Sequence, residues 1–404
     1  MKQIFPATIT GKSFAPGGSV LDHNFGAGEP YTLGVEEEYM LLDGETLDLV
    51  QHVEAVLAAT EGHELEPRVN PELMQSVLEI ATPVCASPAE VDRELRKLRT
   101  YVTGLASEEG MRVGSAGTHP FSLFERQRIT ARDRYRHLVD QLQYVARREL
   151  IFGLHIHVAV DDAEKAVKVV NGLLAHLSSL LALSASSPFW RGEPTGLASS
   201  RQMVFAAFPR SGPPPRFRDY ADYAEVVGQL EKTGCIADYT HIWWDIRLHP
   251  RFGTIEIRVC DAVTQVEDAV ALAAFCQALV KLYCERYAVG AEIPSYHRIL
   301  TTENKWLAAP ERRAGREREQ RREVREQAVH DLDRLLRVVD GDVDVQAEDQ
   351  LAPRDVLELV DEVPIAVTGG DALPLEQRER VRPGRADAHA LLRGDAGHVG
   401  AQLA

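Results

Sequence analysis

Three short segments of the chain alternate polar and apolar side chains with a period of two: GVEEEYMLLD, GLHIHVAV and GTIEIRVCD. Residues two apart on a strand point to the same face of a sheet. The first segment therefore puts Glu36 and Glu38 on one face and Glu37 on the other. The second pairs His155 with His157, and the third pairs Glu256 with Arg258. An acidic, imidazole-rich sheet face is not an ordinary core, because unpaired buried charge is too costly unless a metal ion or counter-charge neutralises it. The pattern predicts a polar, metal-holding sheet lined by three or more strands.

Strands are expected over 31–43, 112–117, 151–160, 243–248 and 254–260, and helices over 47–60, 132–149, 163–186, 222–233 and 266–287. Another helix opens at Ser87, where SPAE supplies a Ser cap, a Pro in the first turn and a Glu at the third position. Segment 72–82 fits two periods. Glu72, Gln75 and Glu79 share a helix face, whereas Gln75, Val77, Glu79 and Ala81 share a strand face. Residues 190–215 are loop-rich, a kind of segment that often carries binding residues. Long helices between polar-lined strands predict an α+β fold, with a loose leader over 1–30 and one main domain over 31–308.

After Trp306 the character of the chain changes. From Glu311 onward there is no Phe, Tyr, Trp or Lys, and Ile365 is the single Ile. Such a segment buries little apolar area against its ordering entropy. Residues 309–404 are expected to be either a genuine polar tail or the product of a shifted reading frame.

The 404 residues carry 45 basic and 61 acidic side chains, a net charge of −16. That balance excludes a general nucleic-acid binder, which shows a basic patch or stripe. Cys85, Cys235, Cys260, Cys276 and Cys284 are odd in number and lack a C-x-x-C spacing. They read as reduced thiols of a cytoplasmic protein. The start of the chain has no charged-then-apolar signal pattern. The longest apolar run, NGLLAHLSSLLALSASS, is broken by His176 and serines and reads as a buried helix, not a membrane span.

The polar pairs carry the candidate chemistry. Glu36 and Glu38 offer oxygen ligands to a divalent ion; a solvated edge strand is the plain alternative, set against apolar neighbours such as Leu33, Val35 and Met40. Two same-face histidines suit a ligand or phosphate role. They also open metal-dependent amidohydrolases, for which His241 and His249 are available, although no eightfold strand–helix alternation appears. Glu256 and Arg258 form either an internal ion pair or a metal ligand beside an anion-binding guanidinium. Arg247 and Arg201 add guanidinium groups. Carboxylates for metal and arginines for anions together suit phosphoryl transfer from a nucleotide. Neither GxxxxGK[ST] nor GxGxxG is present.

In this order GVEEEYMLLD, ELMQSVLEIATPVC, SAGTHPF, GLHIHV, ALSASSPFW, ASSRQMVFAAFP, HIWWDIRLHPRFGTIEIRVCD and ENKWLAA resemble the type 2 glutamate–cysteine ligases, a family of carboxylate–amine ligases. The resemblance runs from about Tyr31 to about Ala308. It implies a glutamine synthetase-like catalytic fold: a curved antiparallel sheet with helices on its outer face, holding ATP and Mg²⁺. It further implies metal ligation by Glu36, Glu38, Glu79 and Glu256, and phosphate contacts from His155, His157, Arg258 and Arg247. Substrate contacts would come from Arg201 and Glu72, with Arg258 and Glu256 catalytic. The implied substrates are L-glutamate and L-cysteine or another amine, joined through a γ-glutamyl phosphate. No nucleic-acid or membrane partner is implied, and a homodimer is compatible. A non-catalytic binder of ATP or an amino acid is the other alternative.

Overall fold

A computed structural model describes residues 21–293 and 297–309. Seven strands form one antiparallel sheet: β1 (Leu33–Asp43), β2 (Val69–Pro71), β3 (Val77–Ala81), β4 (Met111–Gly114), β5 (Gly153–Ala159), β6 (Ile246–His249) and β7 (Thr254–Asp261). Their order is β6-β7-β5-β1-β3-β2, with β4 also paired to β1. β1 is central because it pairs on both sides, with β3 over Glu36–Met40 and with β5 and β4 on the other flank. The antiparallel sheet removes the barrel-type amidohydrolase reading, which needs parallel strands separated by helices.

The two faces of the sheet differ as the period-two pattern requires. Leu33, Val35, Tyr39 and Leu41 of β1, Leu154, Ile156 and Val158 of β5, and Ile255 and Ile257 of β7 point into the main core. Helices Pro88–Glu108, Ala163–Leu173, Leu177–Ser184 and Val266–Ala288 cover that face with residues such as Val91, Leu95, Val167 and Leu279. Each fully buried large aliphatic side chain contributes about 1.5–3 kcal/mol. On the opposite face of β1, Met40 and Leu42 enter a second, smaller core with Met74, Phe124 and Phe152. Glu36 and Glu38 precede them on that same face.

Helix Pro88–Glu108 starts as its sequence dictates. Ser87 Oγ accepts from the Glu90 N–H at 3.3 Å, and Glu90 Oε2 accepts from the Ala86 N–H at 2.7 Å. Several other elements depart from the expected boundaries. The 47–60 helix shrinks to Val53–Ala59, because Leu49 bridges to Leu42 as extended chain. The ambiguous 72–82 segment resolves as β3, preceded by β2. The 132–149 helix is two pieces, Asp133–Leu142 and Tyr144–Arg147, separated by Gln143 at φ 50°. The 163–186 helix bends by 66° between Leu173 and Leu177. At that bend the His176 ring pairs with the Tyr283 hydroxyl at 2.7 Å. The 243–248 strand is interrupted at Asp245.

The described part of the leader is docked, not loose. Asn24 N–H donates to Pro250 O, Gly26 N–H donates to Val160 O, and Phe25 is buried. Gly253 adopts φ +68°, and a Cβ there would stand 2.4 Å from Asn24 O, so this approach requires glycine. The expected polar segment lies outside the described residues, apart from Ala309. The five cysteines are free thiols. No single described helix is long and apolar enough to cross a membrane.

Candidate active site

Strand register assembles the site. Glu36 stands opposite His155, Glu38 opposite Glu79, Glu256 opposite His157, Arg247 opposite Glu256, and Asn70 opposite Glu79. Directly opposed residues of an antiparallel pair bring their Cβ atoms to about 4.5–5.5 Å. The polar pairs of separate segments thereby become one continuous field across six strands. They line a cavity of about 640 Å³ that also includes Glu72, Glu149, Arg201 and Arg258.

The field divides into two groups. In the first, ligand atoms of Glu36, His157 and Glu256 all lie within 4.8 Å of one another. His155 Nδ1 meets Glu36 Oε2 at 3.2 Å, and His157 Nε2 stands 3.6 Å from Glu36 Oε1 and 4.0 Å from Glu256 Oε1. The Thr254 hydroxyl occupies His157 Nδ1 at 3.0 Å, which leaves Nε2 shielded from solvent with no hydrogen bond. Burial works to raise the Glu36 carboxyl, but hydrogen bonds and charge from His155 and His157 outweigh it and hold Glu36 far below the usual carboxylate range. Burial, aided by the Arg258 charge, pushes His155 down to about 4, so a neutral imidazole faces an anionic Glu36.

Glu256 is held between two guanidinium groups. Arg247 donates through Nε to Oε2 and through Nη2 to Oε1 at 3.2 Å, and Arg258 donates through Nη1 to Oε1 at 2.5 Å. Burial opposes ionisation of Glu256, yet the charges of Arg247 and Arg258 keep it well below the ordinary range. Arg247 Nη1 also donates to Thr240 O and Ile242 O. Of its five N–H groups at most one remains for a phosphate, so Arg247 chiefly holds Glu256. Arg258 keeps a buried, unpaired Nε–H.

The second group is Glu38, Glu72 and Glu79, whose ligand atoms again lie within 4.8 Å of one another. Glu72 thus stands among the carboxylates, not apart from them. Glu38 Oε2 accepts from the Gly153 N–H at 2.6 Å, and Asn70 Nδ2 donates to Glu79 Oε1 at 3.4 Å. Burial and the Glu72 charge push the Glu38 carboxyl up to about 7. Burial and repulsion from Glu36, Glu72 and Glu38 raise Glu79 well above its usual value. Three carboxylates at this separation call for a cation or for protons.

Arg201 begins the short helix Arg201–Phe205 and is buried. Its backbone N–H donates to Ser187 Oγ at 3.1 Å, and its Nη atoms donate to Val259 O and Arg258 O. Behind it lies Asp261, which accepts from Ser187 Oγ, Ser199 Oγ and the Ser186 N–H at 2.6, 2.9 and 3.0 Å and stands 4.0 Å from Arg201 Nη1. Nearby, Lys305 of helix Arg298–Ala308 is ion-paired with Asp245 in the interior.

All of the residues expected from sequence — Glu36, Glu38, Glu72, Glu79, His155, His157, Arg201, Arg247, Glu256 and Arg258 — border this one cavity. Asp261, Lys305 and Glu149 were not expected. Burial pushes the Glu149 carboxyl up to about 8. No period or motif marks Glu149, which lies just beyond the helical turn Tyr144–Arg147.

The chain matches the family described as glutamate-cysteine ligase family 2 over residues 32–359. A protein of Sorangium cellulosum provisionally named glutamate–cysteine ligase 2 is 46% identical over 280 residues, covering 69% of this chain and 74% of that protein. A protein of Rubrobacter xylanophilus, provisionally named glutamate–cysteine ligase 2-3, is 46% identical over 288 residues, covering 71% of this chain and 77% of that one. The crystal structure of a bifunctional glutathione synthetase from Pasteurella multocida superposes with a TM-score of 0.54 at 14% identity. That match covers 83% of this chain and 47% of that one, and the likeness is one of fold. The architecture is the glutamine synthetase-like α+β arrangement, and the chain belongs to glutamate–cysteine ligase family 2.

Proposed function

We propose that the chain is an ATP-dependent carboxylate–amine ligase that joins the side-chain carboxylate of L-glutamate to the amino group of L-cysteine or another amine. A carboxylate oxygen attacks the γ-phosphorus, and the bond to the bridging oxygen breaks. ADP leaves and a γ-glutamyl phosphate forms. The amine nitrogen then bonds to the acyl carbon, the carbon–oxygen bond to phosphate breaks, and the amine gives up a proton. One observation carries this reading: two groups of metal-ligand side chains and an arginine with a free N–H share one cavity wall.

The donors suit magnesium. Glu38, Glu72 and Glu79 offer only oxygen, and their mutual repulsion is relieved by a divalent ion. Glu36, Glu256 and the unpaired His157 Nε2 would hold a second. Bound magnesium neutralises charge on the phosphate oxygens. Arg258, held by Glu256, directs its Nε–H toward the transferring phosphoryl oxygens, and His155 contributes a neutral imidazole beside them. Arg247 fixes Glu256, and Arg201 meets a substrate carboxylate. On this reading the enzyme acts in the cytoplasm on small molecules.

The test is ADP release with magnesium and ATP over a panel of acids and amines. ADP that requires both glutamate and an amine supports the ligase. ATP binding with no ADP across the panel would leave a non-catalytic binder, and amide hydrolysis without ATP consumption would leave a hydrolase.

A further inference from the structure

A buried carboxyl and a buried guanidinium line the cavity, each with atoms that lack a hydrogen-bond partner. Glu149 follows the helical turn Tyr144–Arg147, and both of its carboxylate oxygens are shielded from solvent and accept no hydrogen bond. Arg201 enters from a different element, is itself buried, and keeps an Nε–H with no acceptor. Both line the 640 Å³ cavity. They are close enough for the Arg201 charge to act on the Glu149 carboxyl. Yet no ion pair within 4.0 Å joins them among the described residues.

A buried carboxyl with no hydrogen-bond partner is costly, and a ligand group that supplies the partner relieves that cost. The orphaned Nε–H of Arg201 makes the complementary demand. A ligand that meets only one of these groups leaves the other without a partner. A single molecule bearing an ammonium and a carboxylate on one carbon satisfies both walls at once.

We propose that Glu149 and Arg201 form the subsite for the α-ammonium and α-carboxylate groups of the amino acid whose side-chain carboxylate is activated. The assignment rests on the ligase reading and deepens it by fixing which end of the substrate each wall holds. Glu149 also feels the charge of Glu38. A dicarboxylic acid without an amino group is the natural probe, because it lacks only the group that Glu149 would hold.

The experiment titrates the full-length protein calorimetrically with L-glutamate and with glutarate, for the wild type, Glu149→Gln and Glu149→Ala. In parallel, glutamate-dependent ADP release is measured with magnesium and ATP. The wild type is expected to prefer glutamate over glutarate by about 30-fold or more, since losing one member of a buried charge pair is worth at least that much. Both variants are expected to lose that preference, with glutamate weakened about 30-fold or more and glutarate unchanged within about twofold. Above pH 8, where the wild-type carboxyl is ionised, the thermal midpoint of Glu149→Gln should equal or exceed that of the wild type, because an unpartnered buried charge is removed. Equal losses for both acids, an intact preference in the variants, or a wild type that does not discriminate would each overturn the subsite. The two readings fail separately. Discrimination through Glu149 without ADP release for any amine sinks the ligase and leaves the subsite. Glutamate-dependent ADP release with discrimination intact in Glu149→Gln does the reverse.

Discussion

Arg247 and Glu256 stand opposite each other on β6 and β7, and the guanidinium grips the carboxylate through both Nε and Nη2. Arg258, two residues along the same strand face, takes the remaining side of Glu256 Oε1. Glu256 thus serves as the shared counter-ion of two guanidinium groups. Glu256→Gln is expected to cost about 3–5 kcal/mol of stability, because two guanidinium groups lose their counter-charge. Urea unfolding of variant and wild type measures it, and an unchanged midpoint would contradict the shared ion pair.

Arg258→Ala separates catalysis from folding. Arg247 still satisfies Glu256, so the variant should lose less stability than Glu256→Gln, which strands two guanidinium groups. ADP formation should fall by about 10² to 10³-fold, the loss typical of removing a donor aimed at developing charge. Wild-type turnover in a folded Arg258→Ala protein would remove Arg258 from the site.

Asp261 acts through Arg201, not on substrate. Its two oxygens gather the Ser187 and Ser199 hydroxyls, and Ser187 Oγ in turn receives the Arg201 N–H. Asp261→Asn keeps the volume but removes one acceptor and the counter-charge 4.0 Å from Arg201. The KM for the acid substrate is expected to rise about tenfold, with kcat falling much less, consistent with about 1–3 kcal/mol for an unsatisfied buried group. Equal falls in kcat and kcat/KM at constant KM would instead place Asp261 in the chemical step.

The carboxylate group predicts how metal and pH interact. The Glu38 carboxyl moves from 4.5 to about 7 through burial and the Glu72 charge. Its protonated form therefore stabilises the fold fully below 4.5, and that contribution is lost as pH rises through about 7. His155 has the opposite sign: depressed from 6.5 to about 4, it contributes stability above 6.5 that is lost as pH falls through about 4. The comparison that isolates the carboxylates is the thermal midpoint with and without magnesium. Magnesium should stabilise strongly at pH 8 and little at pH 5, because protons compete for the same oxygens. A magnesium effect independent of pH would show that Glu38, Glu72 and Glu79 do not hold the ion.

The site was legible in sequence where strand geometry repeats without interruption. Glu36 with Glu38, and His155 with His157, keep strict alternation, so their shared face follows from the period alone. Asp261 was hidden by a break in that rule. The register of β7 against β5 shifts between Ile257 and Cys260, and both Val259 and Cys260 enter the helix-side core. Strict alternation would have turned Asp261 away from Arg201; the bulge turns it back. Glu149 was hidden because the charged run 132–149 reads as one helix, whereas the last helical turn ends at Arg147 and leaves Glu149 outside it. The pairing of Lys305 with Asp245 joins residues 60 positions apart, and no local pattern announces it.

Gly153 links the two halves of the site through backbone and space. Its N–H donates to Glu38 Oε2 at 2.6 Å, so it anchors the carboxylate group. A Cβ at this position would stand 2.5 Å from Arg201 Nη2 and 3.1 Å from His155 Nε2. One of those contacts is closer than atoms tolerate, so Arg201 must yield. The strand itself does not require glycine, since β5 is extended, and Ala should leave the fold intact. Gly153→Ala is expected to keep the thermal midpoint within a few degrees while kcat/KM for the acid falls by about tenfold or more, because a side chain displaced by about 1 Å misplaces its ligand. Adding the substitution to Arg201→Ala should cost nothing further, since the group it displaces is already gone. A full additional loss in the double variant would mean that Gly153 acts through the Glu38 hydrogen bond and not through the room it leaves for Arg201.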